Sequence, residues 1–230
     1  YQREFVQRCF EAANEFGEGL RVEGELWNQC FPSPFTLHPS PLLQAQRTNE
    51  TAKSRIIGTT IETRPDYVDE KEIRRLRELG VTRVELGVQS LEESVLERIV
   101  RDHGTKEVRE ATRLLKDSGF KVAYHLMPNL PGATPDSDVE TARMVFTDPD
   151  YQPDTIKLYP CVVIETAELY QWWKAGRYIP YDDETLIELL IRIKQLVPPY
   201  VRIERVIRDI PSTSNRAGCL VTNLREEIHR

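Results

Sequence analysis

The sequence predicts an α/β fold, built as a partial (β/α) barrel with a parallel sheet. Short apolar, β-branched runs alternate with longer amphipathic runs, and glycines such as Gly80 and Gly119 stand where the helices should end. Strands that alternate with helices form right-handed βαβ units, whose strands run parallel. A doubly wound flat sheet is the structural alternative.

The first predicted strand covers residues 56–61, a β-branched run that ends before Pro65, which cannot donate to a ladder. Further strands are predicted over residues 83–88, 121–126, 155–159 and 200–206. Helices are predicted over residues 1–16, 70–79, 91–100, 106–118, 136–146, 165–175 and 183–196, and residues 44–55 are a further candidate helix. Residues 1–55 are therefore interpreted as an N-terminal helix and an irregular connecting segment, and residues 56–230 as the partial barrel.

Composition limits the class of protein. A chain of 230 residues, with 40% hydrophobic and 30% charged residues, is typical of a soluble globular protein that can bury a large core. The formal charge of −6 argues against a generally basic nucleic-acid binder, but it allows a local basic groove. No apolar run approaches the roughly 18 residues of a membrane helix, and no secretory signal is seen. The four cysteines lack close spacing, so we expect reduced core residues and a cytoplasmic protein.

Polar residues follow each predicted strand. Because the carboxyl ends of parallel strands meet at one edge of a sheet, we expect these residues to gather at one rim. Gln89 can donate and accept at once, which suits a zwitterion or a ribose. His125 lies inside the end of its strand, where it could be a catalytic acid or base or a satisfied core histidine. Ordinary loop roles are the alternative for each of them; Ser90, for example, can cap a helix.

The last predicted strand carries three arginines. On a period of two, Arg202 and Arg208 share one face and Arg205 takes the other, and Arg208 should reach the site from the strand end. Together with Lys174 and Arg177, they suit contacts with phosphates. A solvated charged surface is the alternative.

A series of motifs, in this order, resembles the radical S-adenosylmethionine (SAM) domain of the Elongator catalytic subunit family, which modifies uridine in tRNA. The motifs include ETRPDY at residues 62–67, VELGVQS at 84–90, HLMPNLPG at 125–132, KLYP at 157–160 and RVIRDIP at 205–211. The resemblance implies a SAM molecule and a [4Fe-4S] cluster at the rim. It also implies acetyl-CoA as co-substrate and formation of 5-carboxymethyluridine at the tRNA wobble position. The implied partners are tRNA and either other Elongator subunits or a second copy of the chain, with no membrane.

The resemblance also assigns roles to residues. The implied cofactor-binding residues are Glu62, Gln89, Arg101, Met127, Leu130 and Gly132, with the turn at 127–132 bordering the adenine. The predicted catalytic residues are His125, Tyr159 and Arg208. The predicted substrate-binding residues are Lys157, Arg202, Arg205 and Arg208.

The sequence departs from the family at one important point. Three closely spaced cysteines and a Gly-Gly segment, which the family uses for the cluster and the SAM amino group, are not found in it. We therefore predict no metal ligand among its residues. We expect the cluster ligands, the N-terminal strands and the acetyltransferase domain to lie outside this chain, which alone should be inactive. The alternatives are a non-catalytic scaffold that binds tRNA or subunits, and a metal-free barrel enzyme that uses His125 and Glu62 as acid and base.

Overall fold

The computed structural model describes residues 1–16, 40–207 and 215–218 of the chain. Contacts within the chain divide it into two compact units. The first contains Tyr1–Thr60 and Arg74–Thr82, and the second contains Ile61–Ile73 and Arg83–Arg230.

The first unit contains helices α1 (Gln2–Phe16) and α2 (Pro41–Glu50), which pack against each other. Asn49 holds this packing, because its side-chain amide donates to the side chain of Asn14 at 2.7 Å. Helix α2 begins earlier than the predicted 44–55, since the Ser40 hydroxyl caps it and Pro41 occupies its first turn.

The second unit contains the sheet, and the prediction of an α/β fold with a parallel sheet is confirmed. Its five strands are β1 (Thr60–Thr63), β2 (Arg83–Gln89), β3 (Lys121–Leu126), β4 (Thr155–Leu158) and β6 (Arg202–Arg205). They lie in the order β1-β2-β3-β4-β6, and the pairs from β2 to β6 are parallel. Gln89, Met127 and Tyr159, at or just after the carboxyl ends of β2, β3 and β4, therefore lie at one edge of the sheet.

Helices follow the strands. They are α3 (Glu70–Glu78), α4 (Glu93–Arg98), α5 (Thr105–Asp117), α6 (Pro135–Thr147), α7 (Leu169–Lys174) and α8 (Asp183–Leu196), with a 3₁₀ turn at Pro65–Tyr67. Helix α5 packs on β3, where the hydroxyls of Thr112 and Tyr124 share a buried hydrogen bond. On one face of β2, the side chains of Val84, Leu86 and Val88 are fully buried. This is the face of the sheet that the helices cover, and it forms the hydrophobic core. No helix in the described part of the chain combines the length and the apolarity that crossing a bilayer needs.

The sheet curls, which makes the flat-sheet alternative wrong. Strands β3 and β4 lie between β2 and β6, so a flat sheet would separate β2 from β6 by about 14 Å, or three strand spacings. Nevertheless, Arg83 on β2 forms a salt bridge with Glu204 on β6. Lys157 on β4 also faces Glu204, at 3.9 Å. These side chains meet because the inner face is concave, as in a partial barrel.

The first strand begins later than predicted. Residues 56–59 precede β1, and Ile57 is 90% exposed, so the predicted buried strand at 56–61 is wrong. Side chains occupy backbone groups that a ladder would need: the Ile56 N–H donates to Asn49 Oδ1 at 2.8 Å, and the Thr59 N–H donates to Thr82 Oγ1 at 3.1 Å. Glu62 therefore lies within β1 rather than after it.

Other boundaries also differ from the prediction. The last strand and helix α7 are shorter than predicted. A two-stranded antiparallel sheet, β5 (Val163–Ile164) with β7 (Asn215–Ala217), was not predicted. Helix α4 ends in a Schellman motif, in which the Arg101 N–H bonds Leu96 O and the Val100 N–H bonds Glu97 O. Val100 thus occupies the left-handed position, at φ 55°, that glycine usually takes.

Candidate functional site

A row of charged side chains crosses the inner face of the sheet. His125 on β3 lies between two carboxylates. Its Nδ1 is 3.0 Å from Oε1 of Glu62 on β1, and its Nε2 is 3.0 Å from Oε2 of Glu85 on β2. Lys157 on β4 donates to the same Glu85 oxygen at 2.5 Å. Four neighbouring strands therefore each contribute one side chain to a continuous polar network, the inner row.

Burial divides the inner row into a closed end and an open end. The side chains of Glu85 and His125 are 7% exposed, whereas that of Glu62 is 59% exposed. Burial opposes ionisation of Glu85, but hydrogen bonds from Lys157 and His125 outweigh it and hold the pKa of this carboxyl below its usual value. Glu85 is therefore an anion at neutral pH, held by a compensating cation, while Glu62 faces solvent.

The inner row also resembles a possible metal site. Glu62, Glu85 and His125 bring three donor atoms within 4.8 Å of one another, and carboxylates with an imidazole suit a divalent transition metal. However, the two carboxylates face opposite nitrogens of one ring, so a single ion would need the ring to turn. Lys157 also occupies the Glu85 oxygen that the ion would use. We therefore interpret the inner row as a network of hydrogen bonds and ion pairs and assign no metal to it.

Tyr159 joins this row at the end of β4. Its ring packs edge-on against the His125 ring, with centroids 5.5 Å apart and planes at 72°. Its N–H donates to Leu126 O on the neighbouring strand at 2.8 Å. The structure therefore brings together two of the three predicted catalytic residues, beside Glu62. The third, Arg208, lies outside the described residues.

A second polar group lies at the end of β2. Gln89 is 8% exposed and takes a left-handed backbone conformation, φ 69°, which is uncommon outside glycine. Its Oε1 is buried and has no hydrogen-bond partner among the described residues. Gly87 has no side chain, which leaves space between Gln89 and Arg101. A β-carbon at residue 87 would lie 3.0 Å from Gln89 Nε2 and 4.0 Å from Arg101 Nη2 and would fill part of that space. Gln89, Gly87 and Arg101 therefore form a polar pocket, the β2 pocket.

The surrounding loop leaves the Arg101 guanidinium available. Arg64 engages both nearby carboxylates, Asp66 through two hydrogen bonds and Asp102 at 2.8 Å. Burial, followed by the charge of Arg64, lowers the pKa of Arg101. No hydrogen bond to the Arg101 side chain occurs within the described ranges. A half-buried cation of this kind suits an incoming carboxylate or phosphate.

The turn after β3 adjoins the β2 pocket, because the Met127 N–H donates to Gln89 O at 2.8 Å. Met127 and Leu130 belong to one apolar cluster with Val95 of α4. Gly132 has φ 96°, and a β-carbon on it would come within 3.1 Å of Arg98 Cδ, so only glycine suits this position. The turn thus offers an apolar surface beside unpaired polar groups.

Hydrogen bonds within the protein occupy much of the backbone of this turn. Within the turn, the Asn129 N–H donates to Asp138, and the Tyr178 hydroxyl donates to Asn129 O. Pro128 O and Leu130 O accept bonds from Cys161 and Ala133. These backbone groups hold the turn in shape, so the side chains of Met127 and Leu130 are the part of it that suits adenine.

The predicted substrate-binding residues do not form one group. Lys157 is 18% exposed and belongs to the inner row. Arg202 is the first residue of β6 and pairs with Thr155, the first residue of β4, so it lies at the amino end of the sheet, away from the rim. Arg205 ends β6 and is exposed.

Sequence reasoning missed two parts of the site. Glu85 was not selected, although a carboxylate within the apolar run VELGV is a signal for a buried, paired charge. The bonds of Asn129 to Asp138, and of Tyr181 to both, join residues up to 52 positions apart and left no local signal.

The described cysteines do not suit an iron–sulfur cluster. Cys9 is exposed on α1, and Cys161 is buried, where burial raises the pKa of its thiol to about 11. A thiol of this kind stays protonated at neutral pH, whereas cluster ligands are thiolates. Cys30 and Cys219 lie outside the described residues.

Comparisons with known proteins agree with the α/β fold. The family model described as the Radical SAM superfamily matches residues 35–145, and the Radical_SAM C-terminal domain matches residues 153–230. The fold and these matches define a radical SAM domain, a class that implies SAM and a [4Fe-4S] cluster.

Individual proteins of high sequence identity identify a family within the radical SAM class. The chain is 43% identical over 230 residues to tRNA uridine(34) acetyltransferase of Methanocaldococcus infernus, covering all of this chain and 39% of that protein. It is 44% identical to the enzyme of the same name from Dehalococcoides mccartyi, again over the whole chain and 45% of the relative. Elongator complex protein 3 of Homo sapiens is 44% identical over 185 residues, which is 80% of this chain and 34% of that protein.

A solved structure of archaeal Methanocaldococcus infernus Elp3, with an N-terminal deletion, superposes with a TM-score of 0.85 at 43% identity. The match covers 98% of this chain and 48% of that chain. The chain belongs to the family of the tRNA uridine(34) acetyltransferases and Elongator complex protein 3. It spans less than half the length of these relatives.

Proposed function

We propose that this chain is the SAM-binding part of an enzyme that uses SAM, a [4Fe-4S] cluster and acetyl-CoA to form 5-carboxymethyluridine at the tRNA wobble position. The single observation that supports it is the β2 pocket, with a buried, unpaired Gln89 Oε1 and an uncommitted Arg101 guanidinium next to the apolar Met127 side chain. Membership of the family supplies the reaction class. The cytoplasm remains the predicted compartment.

The residues of the β2 pocket fit SAM in chemistry. SAM carries a carboxylate and an ammonium group at one end and an adenine with a ribose at the other. Arg101 would bind the carboxylate, because a guanidinium donates two parallel hydrogen bonds to it. Gln89 would bind a ribose hydroxyl or the ammonium group through its free oxygen. Met127 and Leu130 would border the adenine with apolar surface.

Bound together, SAM and a reduced cluster supply a 5′-deoxyadenosyl radical, and this is the only chemistry that we assign to them. The described cysteines do not fit the cluster, so we derive no step through it. The residues of the chain would orient SAM and exclude water from it. Glu62, His125 and Tyr159 would offer polar atoms beside the bound nucleoside, since the inner row opens to solvent at Glu62.

Recognition of tRNA is proposed for the basic residues near the rim. Arg205, the last residue of β6, is one candidate, and Arg208, predicted from the sequence, is another. Helix α7 adds a second candidate surface, where the Arg177 guanidinium lies 5.3 Å from the Trp172 ring and Lys174 Nζ lies 5.4 Å from the Tyr170 ring. Cations beside aromatic rings suit a nucleic acid, in which phosphates alternate with stacking bases.

The test uses the complete polypeptide that carries this sequence, with its cluster reconstituted without oxygen. We would measure SAM binding by equilibrium dialysis, 5′-deoxyadenosine release, and carboxymethyluridine in tRNA supplied with acetyl-CoA. Arg101→Ala and Gln89→Ala should each weaken SAM binding by roughly ten-fold, the equivalent of one or two lost hydrogen bonds. Arg113→Ala, an exposed arginine of α5, is the matched control.

Two outcomes would contradict the proposal. If Arg101→Ala and Gln89→Ala bind SAM like Arg113→Ala, the β2 pocket is not the SAM site. If the wild-type protein binds tRNA but releases no 5′-deoxyadenosine, the scaffold alternative replaces the enzyme.

A further inference from the structure

The turn at residues 127–132 depends on a buried network behind it. Asn129, at its centre, is 1% exposed and has φ 68°, so both its side chain and its left-handed backbone are enclosed. Its side-chain amide donates to Cys161 O at 3.2 Å, and its Oδ1 accepts from the Tyr181 N–H at 3.0 Å. The turn is therefore held from two later segments of the chain.

Asp138 is the anionic member of this network. It lies in α6 and is 6% exposed. One oxygen, Oδ2, accepts both the Asn129 N–H at 2.8 Å and the Tyr181 hydroxyl at 3.1 Å. No cation pairs with Asp138 within the described residues; its charge is met by neutral donors and by its place near the first turn of a helix. A buried, unpaired charge is expensive, so its position needs a reason.

The hydrogen bonds that Asp138 accepts explain why it is buried. The Asn129 N–H points inward because of the left-handed backbone, and an enclosed N–H without an acceptor would cost about 1–3 kcal/mol. Asp138 satisfies it and at the same time fixes Tyr181, whose N–H holds the Asn129 side chain. The Asp138 carboxylate therefore fixes both the backbone and the side chain of Asn129, which lies between Met127 and Leu130.

We propose that Asp138 is a positioning residue that keeps the turn at 127–132 in the shape that binds SAM. The inference rests on the proposed function, in which Met127 and Leu130 border the adenine. Asp138 does not touch SAM in this proposal; it acts through Asn129.

The environment of Asp138 makes the role measurable by pH. Burial raises the pKa of its carboxyl to about 6, while the hydrogen bonds from Asn129 and Tyr181 oppose that rise and Glu92 adds to it. The other titratable groups that face it are Tyr178, Tyr181 and Cys161, and burial raises the pKa of each. These three groups stay neutral between pH 5.5 and 8, as their raised pKa values require. Because the ordered, buried position raises this pKa, protonation of Asp138 in that interval favours the ordered turn, so SAM binding by the wild type should tighten as the pH falls.

The experiment compares four forms of the complete, cluster-reconstituted polypeptide by SAM dialysis from about pH 5.5 to 8. Asp138→Ala removes the acceptor, and we expect the Kd for SAM to rise roughly ten-fold or more at pH 8. Asp138→Asn keeps an acceptor oxygen but cannot titrate, so we expect near wild-type affinity at pH 8 and a flat pH profile. Asp136→Ala is the matched control, since Asp136 is exposed on the same helix and forms a surface pair with Arg192.

The results separate this inference from the proposed function. If the wild type binds SAM and Asp138→Ala binds it as Asp136→Ala does, the inference is overturned while the proposed function stands. If Asp138→Ala does not fold, Asp138→Asn decides: a flat profile supports the inference, and a profile that keeps the wild-type pH step overturns it. If the wild type binds no SAM at all, the proposed function fails, and the inference fails with it.

Discussion

His125 Nε2 and Glu85 Oε2 lie 3.0 Å apart on adjacent parallel strands, and both side chains are almost fully buried. This contact is the centre of the inner row, because Glu85 also receives the Lys157 ammonium. A charged interior of this kind replaces the apolar layers that usually fill a small closed barrel. It follows that the interior depends on charge compensation as well as on packing.

Glu85→Gln should destabilise the protein by about 2–4 kcal/mol, since it removes the close anion of a largely buried Lys157 ammonium and leaves the more distant Glu204 carboxylate, at 3.9 Å. Urea unfolding, followed by tryptophan fluorescence at pH 7.5, measures the change. Glu110→Gln is the control, because the Glu110–Arg113 pair is exposed and should contribute little to stability. Equal urea midpoints for the two variants would show that Glu85 is not a structural anion.

Gly87→Ala should weaken SAM binding with little effect on unfolding. A β-carbon at residue 87 would crowd Gln89 Nε2 at 3.0 Å and approach Arg101, so it would occupy the β2 pocket. We expect the Kd for SAM to rise by at least about five-fold, as the loss of one neutral hydrogen bond would cause. Calorimetric titration and a thermal melt measure the two effects. A lower melting temperature with unchanged affinity would contradict the pocket assignment.

Val100→Gly should stabilise the protein. Val100 is β-branched, 81% exposed and left-handed, and that conformation costs an L-residue about 1–2 kcal/mol. Glycine removes this strain, but its greater freedom in the unfolded chain returns roughly 0.5–1 kcal/mol, so a net gain of up to about 1 kcal/mol is expected. Val100→Ala keeps a β-carbon and should gain less. If glycine is the more destabilising of the two substitutions, the strain does not exist in solution.

Asp138 should make stability fall as pH rises from about 4 to 6. The pKa of its carboxyl is raised from 3.8 to about 6 in the folded state, so in this interval the folded protein holds a proton that the unfolded chain has lost. Stability from this group is therefore full below about pH 4 and lost above about pH 6. Asp138→Asn removes the titration, and its melting temperature relative to wild type should improve across that interval. A difference that does not change with pH would contradict the raised pKa.

The sequence predicted the class of fold because the strand and helix periods are strong along residues 83–196. Strand β3 and helix α8 were predicted with their observed bounds, Lys121–Leu126 and Asp183–Leu196. The first strand was misplaced because apolar β-branched residues mark Ile56 and Ile57, whereas the ladder begins at Thr60. The start of the strand depends on hydrogen bonds from the backbone to the side chains of Asn49 and Thr82. These contacts are tertiary, so the local sequence pattern does not predict them.

The site was predictable where it follows strand ends and not where it depends on distant contacts. Gln89, Met127 and Tyr159 stand directly after or near the ends of strands, so topology alone brings them together. Arg202 is also a strand residue, yet it lies at the opposite end of the sheet, because it is the first residue of β6. The pairing of Glu85 with Lys157, and that of Asp138 with Asn129, are tertiary contacts that appear only when the sheet curls and the loops close.

The salt bridge between Arg83 and Glu204 joins residues 121 positions apart. During synthesis, the concave face cannot close until β6 has left the ribosome, so Arg83 and Lys157 lack the Glu204 carboxylate until then. Contacts this distant slow folding, and a nascent chain paused before residue 202 should therefore rely on chaperones.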